Sequence, residues 1–514
     1  MNLTPPAKGR LLASSSWFLL AAAGFLYFQL FLPNGTPIFL VADHWIFLQQ
    51  AREMLQGKVL YLDIFQFTFP GAETVFVVLL KIFGAKVWIP NAALIVLGVG
   101  LAWLTTAVSR KVLSGSNALL PASLLLSLGF LFWHNATHHW FSALAAMAGL
   151  AVVMSGRDGK RLAAAGALFG LSTWFTQTQG GAALLGLGIY LVWEGQQEKE
   201  HWRRVLVREL IVAGAFAGTV LVTNAYFAWK AGLGQFLSLT VMFPAKYFHF
   251  QKPDNTPLAY MAGLRYYHYQ WWERWPQAFF DLAVPLVYPY FFFTWRGRSQ
   301  FLSDDEKQRL VLVGFLGAAM LAPVVSAPVE YRLCAVSPPA LILVVWLAGS
   351  ARGVGRTALR LLWFAVLLCA TTATFTTARR EQMGLNYLDL PTGRADFLDR
   401  EWFHEYRWLR EHTKPGDYFF GGCYVYFYFP LKLEPPSDVL FVLPNGFTRP
   451  DQVSRLLEAL EAEKVRFLMW QTRLERPQDY DQADPLGPLW AYVRAQYWPA
   501  VTFPVAKDQI LERR

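Results

Sequence analysis

Residues 11–32 form a continuous apolar run, LLASSSWFLLAAAGFLYFQLFL, that contains no charged side chain. A helix of about 20 such residues spans the hydrocarbon core of a bilayer. The run is too long and too aromatic for the core of a cleaved signal peptide, so we expect it to remain as a membrane anchor. The beginning of the chain therefore predicts an integral membrane protein.

The same apolar pattern recurs through the first three quarters of the sequence. Of the 514 residues, 54% are hydrophobic and 16% are charged, a balance that soluble domains of this total length do not have. We interpret the shorter apolar segment at 73–83 as a helix that lies on the membrane surface. The sequence predicts about eleven spans, of which residues 11–32 are the first. The others lie near 87–108, 118–133, 140–154, 162–175, 182–193, 206–229, 279–295, 310–325, 333–348 and 359–376.

The distribution of positive charge predicts how the chain is oriented. A formal net charge of +10 would also fit a nucleic-acid-binding protein, but the Lys and Arg residues occur in short clusters between apolar runs and not on one face. Short basic connectors are typical of the cytoplasmic side of a membrane. We therefore expect a cytoplasmic N-terminus, two long external loops at 33–86 and 231–277, and no nucleic-acid partner.

Composition changes abruptly near residue 379, where polar and turn-rich sequence replaces the apolar runs. We expect a transmembrane domain at 1–378 and a soluble external α/β domain at 379–514. The fold class predicted is mainly α, a polytopic transmembrane helical bundle with this C-terminal domain. Periodicity in the tail predicts helices at 400–412, 450–464 and 485–497 and strands at 418–420, 424–429, 439–443 and 465–470.

Asp43 follows the first span closely, in the segment Val41-Ala42-Asp43-His44-Trp45. A carboxylate at the membrane surface can deprotonate an incoming hydroxyl while the lipid-linked part of a substrate stays in the bilayer. The low dielectric there would raise its pKa toward that of a useful base. The alternative is that Asp43 simply caps the amphipathic helix that follows it. The spacing of residues leaves both interpretations open.

A resemblance favours the catalytic interpretation. Asp43 is followed by an Ala-Arg-Glu-Met helix, a glycine, an aromatic-Asp step and an aromatic-Pro turn, at 51–54, 57, 61–63 and 69–70. This pattern resembles the GT-C glycosyltransferases, in particular the branch of protein O-mannosyltransferases and lipid A aminoarabinose transferases, including bacterial proteins of that type. Enzymes of this type transfer a sugar from a polyprenyl-phosphate carrier to an acceptor on the outer side of the membrane.

The resemblance implies an inverting displacement at the anomeric carbon with Asp43 as the general base. It also implies that His44, Tyr61 and Asp63 contact substrate. The implied partners are a polyprenyl-phosphate-linked sugar, the membrane lipid, and an acceptor that is a protein, a glycolipid or a polysaccharide. The implied location is a bacterial inner or plasma membrane, with the C-terminal domain external or periplasmic. The chain departs from the family where it has His44 in place of a frequent Glu, and Phe69 in place of the Lys of the aminoarabinose branch.

Departure of a polyprenyl phosphate requires fixed positive charge near the leaving oxygen. Arg332, at the outer end of a span in Glu330-Tyr331-Arg332, is the best-placed candidate, although an ion pair with Glu330 would also explain it. His138 and His139 are further phosphate candidates and Arg52 is a weaker one, while Glu330 and Tyr331 are candidate substrate contacts. The histidines at 134, 138 and 139 could alternatively hold a divalent metal, but their spacing does not favour this, and no cofactor is expected.

Two other classes of protein are alternatives: a transporter or flippase of lipid-linked sugars, and a non-catalytic binding scaffold. Transporters usually place ionisable residues within their spans and show repeated halves. Here the predicted spans are almost free of charge, and charged residues collect in the external loops. We therefore predict a membrane glycosyltransferase.

Overall fold

The computed structural model describes residues 8–130, 133–247, 271–325, 330–351, 353–382, 386–444, 447–475 and 485–514. As far as these residues extend, each predicted span falls on a helix or a run of consecutive short helices, so the predicted polytopic helical bundle is confirmed. The bundle consists of Lys8–Leu30, Ile89–Ser109, the consecutive segments Gly115–Leu119, Leu120–Leu124 and Leu125–Gly129, and then His138–Ser155, Gly159–Phe175, Gln177–Gln197, Trp202–Ala231, Trp271–Ser299, Asp304–Val325, Glu330–Gly349 and Gly355–Gln382.

Within the described residues, seven of these helices are by themselves long and apolar enough to cross a membrane. The others are shorter or more polar and pack among them. Close helix approach depends on small residues, as it does in membrane proteins generally. Gly166 shows this, because a Cβ atom there would collide with the carbonyl oxygen of Val212 on the neighbouring long helix Trp202–Ala231.

The basic connectors meet at one end of the bundle, which we call the basic end. The Glu194 carboxylate is buried there and contacts Arg208 and Arg157, the latter at 2.5 Å. Arg157 also donates to Gln308 at 2.7 Å, and Arg309 donates to the backbone oxygen of Lys111 at 3.2 Å. Connectors that are far apart in sequence thus share one end of the molecule, as expected for connectors on one side of a membrane.

The first long loop lies at the opposite end of the bundle. It forms two helices, His44–Leu55 and Gly71–Phe83, which pack against each other. The second helix covers the segment 73–83, which is therefore helical as predicted, and it buries one side that includes Glu73 and Phe76. The short helical segments Leu233–Leu237, Ser238–Met242 and Phe243–Tyr247 lie beside this loop, while residues 248–270 of the predicted aromatic loop are outside the described part of the chain.

The C-terminal region contains both helices and strands, as predicted. A hairpin pairs β1 (Tyr387–Leu390) with β2 (Gly393–Asp396). A four-stranded sheet has the order β3-β4-β6-β5, in which β3 and β4 are parallel and the other pairs are antiparallel. Its strands are β3 (Phe419–Phe420), β4 (Phe467–Trp470), β5 (Tyr497–Thr502) and β6 (Gln509–Arg513), and the helices are Arg400–His412, Tyr428–Leu431, Pro450–Ala462 and Gly487–Gln496.

Two predicted strands of this region are wrong. Residues 424–429 form turns and the start of the helix Tyr428–Leu431, and residues 439–443 are extended without a strand partner. The alternation at 424–429 arises because Val425 and Phe427 point into the core while Tyr424 and Tyr426 are half-buried toward a cavity. The sequence pattern also missed β1, β2, β5 and β6, which are short or largely exposed.

The first loop and the C-terminal region are joined by backbone pairing. Phe39 donates to the backbone oxygen of Asp396 at 2.7 Å, and Asp396 donates to that of Pro37 at 3.0 Å. The Phe39 ring stacks on Phe397 with centroids 4.5 Å apart. The C-terminal region has a hydrophobic core of its own, but it also contributes residues to the main core. These contacts place C-terminal residues next to the loop that carries Asp43.

Candidate functional site

A cavity of about 1140 Å³ opens at the end of the bundle opposite the basic end. We call it the larger cavity. Its walls come from the first loop, the ends of several bundle helices, and the C-terminal region. The polar and charged residues that line it include Asp43, Gln50, Gln66, Thr68, His138, His139, Thr173, Gln177, Gln179, Tyr331, Arg332 and Tyr426.

Asp43 precedes the helix His44–Leu55 but does not cap it with its side chain. Its carboxylate instead accepts a hydrogen bond from the Asn135 side-chain amide at 3.4 Å. Burial raises the pKa of the Asp43 carboxyl above its usual value, and the hydrogen bond from Asn135 opposes part of that rise. The raised pKa makes the Asp43 carboxylate a stronger base than an ordinary aspartate.

Four candidates from the sequence lie on the same cavity as Asp43. Arg332, Tyr331 and the two histidines His138 and His139 line it. The histidine rings are 4.0 Å apart between centroids, and the His139 ring is 5.2 Å from that of Tyr331. The Nδ1 atom of His138 is buried and has no hydrogen-bond partner among the described residues. The structure thus collects one carboxylate, one guanidinium and two imidazoles around one space.

Four other candidates from the first loop do not line this cavity. His44 is fully buried, its ring packs on Trp45, and burial lowers its pKa to about 3. Arg52 pairs with Glu434 at 3.1 Å. Tyr61 donates to the backbone oxygen of Thr68 at 2.7 Å. The remaining candidate, Asp63, is exposed and accepts from the backbone N–H of Val59. These contacts shape the loop.

Glu330 begins the helix Glu330–Gly349, but its side chain lies outside the part of the molecule that is described. The alternative explanation for Arg332, an ion pair with Glu330, thus lies outside the described part of the chain. In the described residues, no group of three or more His, Cys, Asp or Glu side chains is arranged to hold a metal ion.

Sequence reasoning missed a group of neutral polar residues that line the cavity. The Gln66 amide donates to Gln50 at 2.9 Å and to the buried carboxyl of Glu73 at 2.6 Å. Gln177 donates to the backbone oxygen of Phe67 at 2.8 Å and so fixes the loop that ends in the aromatic-Pro turn. No sequence signal distinguished these residues, because isolated Gln side chains between apolar runs carry no recognisable spacing.

The C-terminal region contributes Tyr426, which the sequence analysis had placed on a strand. The preceding Gly422 has a φ of 62°, and the Gln471 side chain holds this turn by donating to Gly421 and accepting from the backbone N–H of Cys423. Tyr406 donates to the Tyr426 backbone oxygen at 2.5 Å. Burial and nearby Asp43 both raise the pKa of the Tyr426 phenol, which therefore stays protonated beside the carboxylate.

A second cavity, of about 520 Å³, also has Asp43 in its wall, and we call it the smaller cavity. Asp43, Tyr331 and Tyr426 line both cavities. The remaining walls of the smaller cavity are residues 39–42, Trp133, His134, Asn135, residues 397–399 and Trp402. Asp43 thus belongs to the walls of both cavities.

Comparison with solved structures identifies the fold. ArnT from Cupriavidus metallidurans bound to undecaprenyl phosphate matches with a TM-score of 0.56 and 12% identity, over 98% of this chain and 98% of that one. Apo ArnT from the same organism matches with a TM-score of 0.53 and 13% identity, over 97% and 98% of the two chains. No protein-family model and no curated protein matches the sequence. The chain therefore shares the fold of these two structures, and this is the fold that the resemblance implied.

Proposed function

We propose that this membrane protein is a glycosyltransferase that moves a sugar from a polyprenyl-phosphate carrier to an acceptor hydroxyl. One observation carries the proposal: Asp43 lines two cavities, and the larger of these is also lined by Arg332, His138 and His139. A carrier in one cavity and an acceptor in the other would meet at the carboxylate. The GT-C fold and its likeness to a protein crystallised with undecaprenyl phosphate support this assignment.

Asp43 acts as the general base in this proposal. Its carboxylate takes the proton from the acceptor hydroxyl while the oxygen attacks the anomeric carbon of the donor sugar. The bond between that carbon and the phosphate oxygen breaks, and the electron pair leaves with the polyprenyl phosphate. Because attack and departure occur on opposite faces, the configuration at the anomeric carbon inverts.

Arg332 stabilises the leaving phosphate, and His138 and His139 assist it. The departing group gains negative charge, and a fixed guanidinium in a site with little water stabilises that charge strongly. Nδ1 of His138, which has no hydrogen-bond partner among the described residues, is a further polar atom that an interaction with a phosphate oxygen would satisfy. Arg52 is left out of this role because its partner Glu434 holds it away from the cavity.

The position of the basic end supports an orientation in the membrane. Basic connectors favour the cytoplasmic side, so we infer that the two cavities and the C-terminal region face the outside of the cell, and we propose a bacterial inner or plasma membrane. The lipid tail of the carrier then stays in the bilayer while its phosphate reaches Arg332.

The test uses the full-length protein in lipid nanodiscs, a panel of polyprenyl-phosphate-linked sugars labelled in the sugar, and a membrane extract that supplies the acceptor. The wild type should release label from at least one carrier, and Asp43→Asn should lower that rate by at least about a hundredfold. The matched control is Asp63→Asn, which changes an exposed carboxylate of the same loop and should keep most activity. The anomeric configuration of the product, measured by NMR, should be opposite to that of the donor.

Two results would overturn the proposal. Equal activity of the Asp43→Asn and Asp63→Asn proteins would remove Asp43 from the chemistry. Movement of an intact lipid-linked sugar across liposome membranes, without cleavage of any carrier, would instead identify a transporter.

A further inference from the structure

The walls of the smaller cavity are rich in aromatic side chains that come from both halves of the chain. On the side of the bundle, the rings of Trp133 and Tyr331 lie 5.4 Å apart between centroids. On the side of the C-terminal region, the rings of Trp402 and Tyr426 lie 5.6 Å apart. Trp402 is held in place by Asp399, whose carboxylate accepts from its backbone N–H at 3.3 Å and caps the helix Arg400–His412.

Two residues of this cavity wall each have a buried ring nitrogen for which the described part of the chain supplies no hydrogen-bond partner, Nε1 of Trp133 and Nε2 of His134. Leaving such atoms unpaired is costly, so a ligand that supplies partners would gain by binding there. Burial lowers the pKa of His134 to about 4, and the ring is therefore neutral near pH 7. These two groups thus offer neutral hydrogen bonding to a ligand.

The backbone N–H of Phe39, a residue of the cavity wall, is already paired within the protein. It donates to the backbone oxygen of Asp396, and Asp396 donates in turn to that of Pro37. A peptide that binds in an extended form usually adds its backbone to a free strand edge, and these groups do not offer one. A sugar ring binds in a different way. Its C–H faces pack on aromatic rings, and its hydroxyls exchange hydrogen bonds with polar groups around those rings.

We propose that the smaller cavity is the acceptor site and that it binds a carbohydrate, with a sugar ring against Trp402 and Tyr426 and one hydroxyl directed at Asp43. This inference rests on the proposed function and names the acceptor class for it. Trp133 and His134 supply hydrogen bonds to other hydroxyls. Trp402 determines acceptor specificity and takes no part in the bond-making step.

The test measures transfer from one polyprenyl-phosphate-linked sugar to two sets of acceptors in nanodiscs. One set consists of alkyl glycosides, and the other of peptides that contain Ser and Thr and carry the same alkyl tag. Wild type should glycosylate the glycosides. Trp402→Ala should raise the KM for glycosides at least tenfold while the dissociation constant for the donor stays within twofold. Trp498→Ala is the matched control, because Trp498 lies on a C-terminal strand and its side chain is 57% exposed.

Trp402→Phe is a second variant that separates loss of the aromatic face from a folding defect. It keeps an aromatic ring and should retain a KM for glycosides close to that of wild type. Transfer to peptides without transfer to glycosides would overturn the inference and leave the proposed function standing. An equal KM for glycosides in Trp402→Ala and Trp498→Ala would also overturn the inference and leave the proposed function standing.

If wild type transfers sugar to neither set of acceptors, the proposed function fails. Saturation-transfer NMR with methyl glycosides would then still decide whether the cavity binds a carbohydrate, and no transfer of saturation would overturn the inference.

Discussion

Asn135 links Asp43 to the start of the helix that follows it. The side-chain amide donates to the Asp43 carboxylate at 3.4 Å, and its oxygen accepts from the backbone N–H of His44 at 3.2 Å. One side chain from the loop between two bundle helices thus fixes both the carboxylate and the backbone beside it. Asn135 is buried, so this link is protected from solvent.

Removal of this link should change the pH dependence of turnover. A general base works only when deprotonated, so kcat/KM should rise with pH through the Asp43 pKa, which burial places above that of an ordinary Asp. The hydrogen bond from Asn135 lowers that pKa, and Asn135→Ala should therefore move the acidic limb to still higher pH. On the acidic side of this limb we expect a loss of about tenfold in kcat/KM, because hydrogen bonds to charged groups contribute roughly 1.5 kcal/mol or more. A limb that stays in place or moves to lower pH would contradict this account.

Arg332 and Arg52 should respond differently to the same substitution. Arg332 lines the larger cavity, so Arg332→Gln should lower kcat by about a hundredfold, and Arg332→Lys should recover part of the loss because it keeps the charge but not the planar fork. Arg52→Gln is the matched control, since Arg52 pairs with Glu434 of the C-terminal region. It should lower thermal stability and leave kcat nearly unchanged. Steady-state kinetics and thermal unfolding in detergent distinguish the two, and a larger loss of kcat in the Arg52 variant would reverse the assignment.

Glu73 should make stability depend on pH. Its carboxyl is fully buried, and burial raises its pKa from the usual value near 4.5 to about 8. The folded protein therefore binds a proton that the unfolded chain releases above about pH 4.5, and stability falls as the pH rises from there to about 8. The loss amounts to several kcal/mol at most.

The measurement for Glu73 is the free energy of unfolding at pH 5 and pH 9. Glu73→Gln keeps the shape and the contact with Gln66, and it should flatten the decline seen in wild type. Glu458→Gln, at an exposed position of the helix Pro450–Ala462, is the control and should leave the slope as it is. An unchanged slope in the Glu73 variant would show that this carboxyl is already ionised in the folded protein.

The sequence predicted the bundle well because bilayer thickness and hydrophobicity determine each span locally. It also singled out Asp43, Arg332, His138 and His139, which the fold brings to one cavity although they are far apart in sequence. It could not predict Tyr426 or Trp402, because their position depends on a turn at Gly422 and on pairing between Phe39 and Asp396. The sequence also assigned Arg52 to the carrier phosphate, because its partner Glu434 is distant in sequence and no local pattern reveals their pairing.

The ion-pair cluster around Glu194 at the basic end should contribute to stability and not to catalysis. Glu194 is buried between Arg157 and Arg208, so loss of its charge leaves two guanidinium groups without their shared partner. Removal of one member of a buried ion pair typically costs about 3–5 kcal/mol. Glu194→Gln should therefore strongly lower the thermal stability of the detergent-solubilised protein. Glu198→Gln changes an exposed carboxylate near the end of the same helix and should lower thermal stability little.

Because the cavities lie at the other end of the bundle, the folded fraction of the Glu194 variant should keep the wild-type KM for its donor. A selective loss of turnover without a loss of stability would show instead that this cluster is coupled to the catalytic site.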